Sequence, residues 1–244
     1  MTWPRVIAGV AAGAAAAGLL AGGLKYASEW STSQIFGRTL IAGDDPGEIA
    51  LTFDDGPNDA ATPQLLEVLA RHEVRATFFA MGSFARQWPQ MVRDVVAAGH
   101  LVGNHTMSHP KLSVQPAVTV RQELVDCNAV LEDITGAAIR FFRPPFGARR
   151  PAVLRIAREL GLTPVMWNVT GHDWEPIGVD GISRNFDEGI ARNRRRGRGS
   201  NLLLHDGSHR GMGWERMDTV RAVERLLAAN AGTATRFVTV DAWG

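Results

Sequence analysis

Short apolar runs alternate with longer amphipathic stretches from residue 48 to the end of the chain. In the amphipathic stretches, apolar residues recur three or four positions apart, which predicts helices. The short runs predict seven strands, over residues 49–53, 76–82, 100–105, 139–145, 163–169, 200–206 and 236–240. Strict alternation of strands and helices is typical of βαβ units and therefore of an α/β fold with a parallel sheet.

The number of strands limits the possible architectures of the parallel sheet. Seven strands in one domain of about 200 residues favour a closed or nearly closed barrel, with helices on its outside. A doubly wound open sheet is the alternative.

Capping signals predict where two of the helices begin and end. Thr62 is expected as the N-cap of the first helix, with Pro63 at its first position. The stretch "SFARQWPQMVRDVVAAG" predicts one helix from Ser83 to a stop at Gly99.

The N-terminus has a different composition. Residues 6–24 carry no charge and are flanked by Arg5 and Lys25, which predicts a signal peptide or a membrane anchor over residues 1–25. A buried Ala-rich helix is the alternative. Residues 26–45 are expected to be a linker and residues 46–244 a single folded domain. The protein is therefore expected to be exported, and to be extracellular, in the cell envelope or membrane-anchored.

Net charge and cysteine content give no sign of a nucleic-acid partner, a disulfide framework or a cysteine zinc cluster. A net charge of +1 gives no indication of a nucleic-acid partner. Cys127 is the only cysteine, so neither a disulfide framework nor a cysteine zinc cluster is expected. Contact with a membrane is expected only through the N-terminal segment, and the sequence does not indicate an oligomeric state.

Polar and titratable residues follow the predicted strands. In parallel α/β barrels, functional sites form where the strands have their carboxyl ends. Because several predicted strands carry such residues at that end, one site ringed by strand ends is expected. The residues concerned are Asp54, Asp55, His105, Arg143, Asn168, Asp173, His205 and Asp206.

Two histidines and two aspartates in this set suggest a metal site. His105 and His109 are four residues apart, so on one helical turn both imidazoles would face one ion. With one aspartate as third ligand, a position remains open for water, and the other aspartate is free to take a proton from that water. Two surface histidines, with one aspartate as a helix cap and one in a turn, are the alternative.

The remaining polar residues suggest an acid and its supports. Arg143 precedes two prolines and is placed to pair with the base aspartate. A histidine beside a carboxylate suits a general acid. His205 is the candidate acid, and Asp173 and Asp206 compete as its partner. The backbone of Phe146 follows in a turn whose N–H groups could face an oxyanion.

Five separated segments together carry a resemblance to a known family. They are "TFDDGP", "HTMSH", "RPPFG", "WNVTGHDW" and "LLLHDG", in this order within residues 52–207. The set resembles the polysaccharide deacetylases, the NodB-homology domain of carbohydrate esterase family 4. The resemblance implies a distorted (β/α)7 barrel over roughly residues 46–244. It also implies metal-dependent removal of N-acetyl groups from an amino-sugar polymer.

The resemblance also implies a role for individual residues. Asp54 would be the general base, held by Arg143, and His205 the general acid, oriented by Asp173. The metal, usually Zn²⁺, would be bound by Asp55, His105 and His109. Around the acetyl group, Trp174 and Leu203 would line the pocket and the backbone N–H of Phe146 would face the oxyanion. The fourth segment departs from the family pattern, with Thr170 where an aspartate is frequent and His172 inside the motif.

Other functions remain open at this point. A non-catalytic glycan-binding domain of the same fold, an O-acetyl esterase and a phosphoesterase are the alternatives. Peptidoglycan and chitin-like glycans are both candidate substrates.

Overall fold

The computed structural model describes residues 22–23 and 25–244. The signal peptide or anchor predicted over residues 1–25 therefore lies almost entirely outside the described residues. Among the helices that are described, none combines the length and the apolar character needed to cross a bilayer.

The described chain forms one sheet of eight strands, all paired in parallel. The strands are β1 (Glu48–Asp54), β2 (Thr77–Ala80), β3 (Leu101–Asn104), β4 (Phe141–Phe142), β5 (Thr163–Pro164), β6 (Val169–Thr170), β7 (Ser200–His205) and β8 (Arg236–Val238).

Helices connect the strands and cover the outside of the sheet. They are α1 (Thr62–Arg71), α2 (Gly82–Gln87), α3 (Pro89–Ala97), α4 (Ala117–Thr135), α5 (Pro151–Glu159), α6 (Gly178–Arg195) and α7 (Met217–Asn230). Short 3₁₀ turns occur at Leu112–Val114, Pro145–Gly147 and Val240–Trp243.

The order of the strands confirms the distorted barrel. The sheet runs β5-β4-β3-β2-β1-β7-β6, and β8 pairs with the start of β1. The strand predicted over residues 163–169 is split in two. Its first part pairs with β4 and its second part with β7, so this one segment runs from one edge of the curled sheet to the other. A single stretch of chain thereby bridges the gap in the barrel.

The strand bodies form the core that holds the site in place. Leu51, Phe53 and Leu202 are fully buried, and the rings of Phe53 and Phe78 stack with their centroids 5.0 Å apart. Each such side chain contributes about 1.5–3 kcal/mol through burial. Apolar side chains thus fill the strand bodies, and the titratable side chains lie at the ends of the strands.

The helix predicted between Ser83 and Gly99 is interrupted. It forms two helices, α2 and α3, which meet at Trp88 with φ −128° and ψ 57°. Pro89 causes the break, because a proline disfavours helical geometry in the residue before it. The first of the two helices begins at Gly82, so Ser83 is not its cap.

Thr62 is not an N-cap either. It is the first residue of α1, and Ala61 occupies the cap position. The Thr62 hydroxyl instead donates to Oδ2 of Asp206, at 2.6 Å, and accepts from the main-chain N–H of Asn58. A tertiary hydrogen bond therefore replaces the local cap that the sequence pattern suggests.

Residues 26–45 make several contacts with the barrel. Leu40 forms a parallel bridge with Val165, and its carbonyl accepts from the N–H of Met166. The carbonyl of Gly43 accepts from the N–H of Gly199. This part of the chain therefore contacts both the bridging segment and the residue that precedes β7.

Candidate active site

The five sequence segments meet in one cleft at the carboxyl ends of the strands. The cleft has a volume of about 500 Å³ and contains every residue that was expected to bind the metal, act as base or act as acid. Its lining includes Asp54, Asp55, His105, His109, Phe146, Trp167, Trp174, Leu203, His205, His209 and Arg210.

The two adjacent aspartates point to different partners. Asp54 is the last residue of β1, and its Oδ1 accepts from Nη1 of Arg143 at 2.9 Å. Asp55 has φ 71°, a left-handed conformation that aspartate tolerates better than most residues. The chain therefore turns at Asp55 itself, one residue earlier than Gly56-Pro57, and the Asp55 carboxylate faces the histidines.

His105 and His109 meet through a loop, so the predicted helical turn is wrong. Thr106 and His109 both have positive φ, 69° and 62°. The side chain of Asn104 accepts from the N–H of Thr106 at 2.7 Å, and the Thr106 hydroxyl accepts from the N–H of His109 at 3.0 Å. These bonds bring the two imidazole centroids to 5.0 Å from each other without a helix.

Asp55, His105 and His109 form a possible metal site. One ligand atom from each lies within 4.8 Å of the others. Oδ1 of Asp55 is 3.3 Å from Nε2 of His105 and 3.1 Å from Nε2 of His109, yet it is buried without a hydrogen bond. Nδ1 of His105 lies 2.9 Å from the carbonyl oxygen of Arg143, to which it can only donate, and this leaves Nε2 free as a ligand. The donor set therefore fits a divalent ion.

The charges of Asp55 and His109 also suit a metal. Burial opposes protonation of His105, but the Asp54 and Asp55 carboxylates raise its pKa, an effect that a bound cation would oppose. Burial opposes ionisation of Asp55, but His105, His109 and His209 together hold the pKa of that carboxyl well below 3.8. Burial lowers the pKa of His109, although Asp55 opposes this effect. An ionised carboxylate and a neutral imidazole are the forms that bind metal ions.

Arg143 is completely buried and holds the carboxylate of Asp54. Besides Asp54, its Nη1 donates to the hydroxyl of Thr52 at 2.7 Å. Its guanidinium carbon lies 4.3 Å from the centroid of the Phe79 ring. Burial lowers the pKa of Arg143, and the Asp54 charge opposes this. The guanidinium thus fixes one Asp54 oxygen, while Oδ2 lies on the side of His105, 3.8 Å from its Nε2.

Asp173, and not Asp206, contacts the ring of His205. Its Oδ1 lies 2.8 Å from Nδ1 of His205, and its Oδ2 accepts from the His205 N–H and the Thr219 hydroxyl. Burial by itself would lower the pKa of His205, but the Asp173 carboxylate raises it to about 9. His205 is therefore protonated at neutral pH, as a general acid must be.

The three residues expected to contact substrate all line the cleft. Phe146 has φ 59°, and its ring packs edge-on against His109 at 4.7 Å. Trp174 is 47% exposed, and its ring is perpendicular to that of His205. Leu203 is buried in β7, two residues before His205. Thr170, in the fourth segment, accepts from the indole N–H of Trp167.

His209 and Arg216 also belong to the site, although neither lies in one of the five sequence segments; the sequence of residues 207–217 suggests a loop near the site in which His209 could touch substrate. The ring of His209 stacks on that of His109, with centroids 4.4 Å apart, and its main-chain N–H donates to Oδ2 of Asp55 at 3.3 Å. Arg216 donates to the carbonyls of Gly207 and Asp173. For Arg216 the only sequence signal is its place in this loop, close to the "LLLHDG" segment.

Comparison with known proteins agrees with this geometry. The profile of the family described as Polysaccharide deacetylase matches residues 42–165. A chitooligosaccharide deacetylase of Sinorhizobium fredii is 42% identical over 160 residues, which is 65% of this chain and 72% of that protein. A peptidoglycan-N-acetylglucosamine deacetylase of Bacillus cereus is 34% identical over 195 residues, 79% of this chain and 86% of that protein.

Similarity extends to solved structures. A crystal structure of a peptidoglycan N-acetylglucosamine deacetylase superimposes with a TM-score of 0.75 at 32% identity, covering 83% of this chain and 90% of that one. The fold, the order of the motifs and the family profile thus agree, and the chain belongs to the polysaccharide deacetylase family.

Proposed function

We propose that this chain is a metal-dependent hydrolase that removes N-acetyl groups from an amino-sugar polysaccharide and releases acetate. The observation that carries the proposal is the content of the cleft: a base that is not in the metal-binding set, a three-donor metal site and a protonated histidine. The relatives named above, which are deacetylases of chitooligosaccharides and of peptidoglycan, support the same reaction.

Asp55, His105 and His109 would hold the metal, and Zn²⁺ suits them best. Two imidazoles and one carboxylate are a common ligand set of catalytic zinc, which keeps a position open for water. When bound, the ion supplies a Lewis acid for the acetamide carbonyl and lowers the pKa of water at the site.

Asp54 acts as the general base. Because Arg143 holds its Oδ1, the carboxylate stays in one orientation, and Oδ2 accepts the proton of the water that attacks the carbonyl carbon.

His205 acts as the general acid. It donates its proton to the sugar nitrogen as the carbon–nitrogen bond breaks, so the leaving group departs as a neutral amine. Asp173 keeps the ring in place through Nδ1 and directs Nε2 to the cleft.

The remaining contacts recognise the acetyl group. Trp174 and Leu203 provide an apolar wall for the methyl group, and the Phe146 N–H faces the oxyanion that forms on attack. A methyl pocket of this kind disfavours larger acyl groups by about 1–3 kcal/mol for each additional methylene.

The D54N variant tests the proposal directly. The asparagine side chain retains the shape of the base but cannot accept the proton, so kcat for acetate release is expected to fall by about 10²–10⁴-fold. Zinc content, measured by elemental analysis, should stay at the wild-type level because Asp54 is not in the ligand set. Turnover like that of the wild type in D54N would refute the role of Asp54.

The alternatives predict other results with the same panel of substrates. A non-catalytic glycan-binding domain would release no acetate, and an O-acetyl esterase would prefer acetylated xylan to peptidoglycan or chitin oligomers. The complete set of base, ligands and acid favours catalysis, and the N-deacetylase relatives favour an amide substrate.

We also propose that the protein acts outside the cytoplasm. Residues 1–25 would direct export, as a cleaved signal peptide or a retained anchor, and residues 46–244 would form the catalytic domain. The substrate would then be a cell-wall or extracellular glycan, such as peptidoglycan or a chitin-like polymer. Fractionation of the producing cells, with N-terminal sequencing of the mature protein, tests both points.

A further inference from the structure

Residues 26–34 pack beside the cleft, and we call them the strap. The strap lies outside the part of the chain that matches the family profile, residues 42–165. It starts in a helical turn in which the N–H of Trp30 donates to the carbonyl of Tyr26, and the two rings stack with centroids 5.7 Å apart. The N–H of Ser33 then donates to the carbonyl of Trp30, so the strap has a defined internal structure.

Arg149 binds the strap through main-chain carbonyl groups. Its Nη2 donates to Ser33 at 2.7 Å and to Trp30 at 2.8 Å, and its Nη1 lies 3.4 Å from the carbonyl of Ser28. The Arg149 side chain is buried, with 1% of the residue exposed, and forms no ion pair with a carboxylate of the described chain. A buried charge without a counter-charge is costly, and here dipoles of the strap compensate it.

The same guanidinium binds the turn that carries Phe146. Nη1 of Arg149 donates to the carbonyl of Gly147 at 3.0 Å. Phe146 and Gly147 have φ values of 59° and 62°, two left-handed residues in succession, which a non-glycine residue adopts only when its surroundings enforce it. A Cβ at Gly147 would lie 2.9 Å from the Trp167 ring and 3.5 Å from the Glu29 carbonyl. The turn is therefore packed directly against the strap.

A second contact joins the strap to the loop of the metal-binding histidines. The carboxylate of Glu29 accepts from Nζ of Lys111 at 2.5 Å. Lys111 follows His109 by two residues. The strap is thus fastened to the loops on which both Phe146 and His109 lie.

We propose that the strap is part of the deacetylase site and that Arg149 is a positioning residue, which holds the Phe146–Gly147 turn against the strap. The proposal rests on the function proposed above, because the Phe146 N–H is the group whose position matters. If the turn loosens, ground-state binding of the polymer changes little, since the turn contributes only two of the residues that line the cleft. The stabilisation of the oxyanion suffers more, because it depends on the direction of one N–H.

The R149K variant tests this inference. Lysine keeps the positive charge, but a single ammonium group cannot reach carbonyls on both sides as the guanidinium fork does. We expect a kcat about tenfold lower, a KM within about twofold of the wild type and an unchanged zinc content. Hydrogen exchange followed by mass spectrometry should show faster exchange of the amides at 146–148, with β1 and β7 unaffected. R150Q is the matched control, since Arg150 is the next residue and donates to the carbonyl of Gln115 instead.

A purely structural role for Arg149 would give a different result. The melting temperature would fall, while kcat and the exchange at residues 146–148 would stay like those of the wild type, and this would overturn the inference. If R149K does not fold, E29Q replaces it, because the Glu29–Lys111 pair is partly exposed and contributes little to stability. E29Q should lower kcat about twofold and speed exchange at 146–148, and no change in either would overturn the inference.

The two proposals can fail separately. If the wild type releases no acetate from any glycan, the proposed function is wrong. The exchange measurement then still decides whether Arg149 and the strap hold the turn.

Discussion

The cleft contains two groups in which a buried carboxylate meets histidine, and their hydrogen bonding differs. Asp55 lies among His105, His109 and His209, yet its Oδ1 and the Nδ1 of His109 are buried without hydrogen bonds. Asp173 lies against His205, and both of its oxygens have partners. The same two residue types thus form one cluster that is unsatisfied and one that is complete.

The difference separates two kinds of function. Buried polar atoms are costly without partners, so an unsatisfied convergent set indicates a ligand, and three metal-donor atoms within 4.8 Å indicate a cation. The Asp173–His205 pair has hydrogen-bond partners for both carboxylate oxygens, and the carboxylate instead keeps a proton on His205. The Asp55 cluster is therefore suited to bind a metal, and the Asp173–His205 pair to deliver a proton.

The largest effect is expected when the unsatisfied cluster loses its carboxylate. In D55N the amide cannot replace an anionic ligand, so zinc content should fall from one per chain towards zero and acetate release to the background. D54N is the matched control, since it neutralises the adjacent aspartate outside the ligand set and should retain zinc. A D55N protein that still binds one zinc ion tightly would contradict the ligand assignment.

A smaller, pH-dependent effect is expected when the complete pair loses its charge. A histidine is protonated below its pKa, and Asp173 raises that of His205 from 6.5 to about 9. In D173N the pKa falls towards 6.5 or below, so the loss of activity on the alkaline side should move to lower pH. With a pKa of 6.5, about one tenth of the enzyme carries the proton at pH about 7.5, which predicts a roughly tenfold loss there and a smaller loss in acid. A pH profile of acetate release measures this shift.

Asp206 provides the control for this pH profile. It follows His205 directly in the sequence and is buried, and burial raises its pKa to about 7. Its carboxylate accepts a hydrogen bond from the Thr62 hydroxyl and not from the His205 ring. D206N should therefore leave the alkaline limit of kcat near that of the wild type. If D206N and D173N shift the limit equally, the partner of His205 has been assigned wrongly.

The sequence predicted the residues of both groups better than the way they meet. Short motifs indicated the candidate metal ligands and proton donors, because few residue types bind metals or transfer protons. Parallel topology then placed the strand ends together, which made one shared site a safe expectation. The helical turn from His105 to His109 was wrong, because hydrogen bonds from Asn104 and Thr106 hold these residues in a loop with two positive φ values.

Residues that act through main-chain atoms escaped the sequence analysis. Arg149 contacts only carbonyl groups, and every residue type offers the same carbonyl, so no pattern marks its partners. The split strand over residues 163–169 escaped for a similar reason, since its apolar run does not reveal that its halves pair with different neighbours. Thr219 escaped for a different reason: its hydroxyl contacts the Asp173 side chain from α7, 46 residues further along the chain.

The smallest effect is expected at Thr219 and separates charge from orientation within the complete pair. T219V removes the hydroxyl that donates to Oδ2 of Asp173 at 2.9 Å but keeps the shape of the side chain and the Asp173 charge. The free energy of unfolding should fall by about 1.5–3 kcal/mol, the usual contribution of a hydrogen bond to a charged group. The alkaline limit of kcat should not move, because the charge that raises the pKa of His205 is still present, and kcat at neutral pH should fall less than about threefold. Urea unfolding and a pH profile of acetate release measure the two quantities on the same sample. A shift as large as that in D173N would mean that orientation of Asp173, and not its charge, keeps the proton on His205.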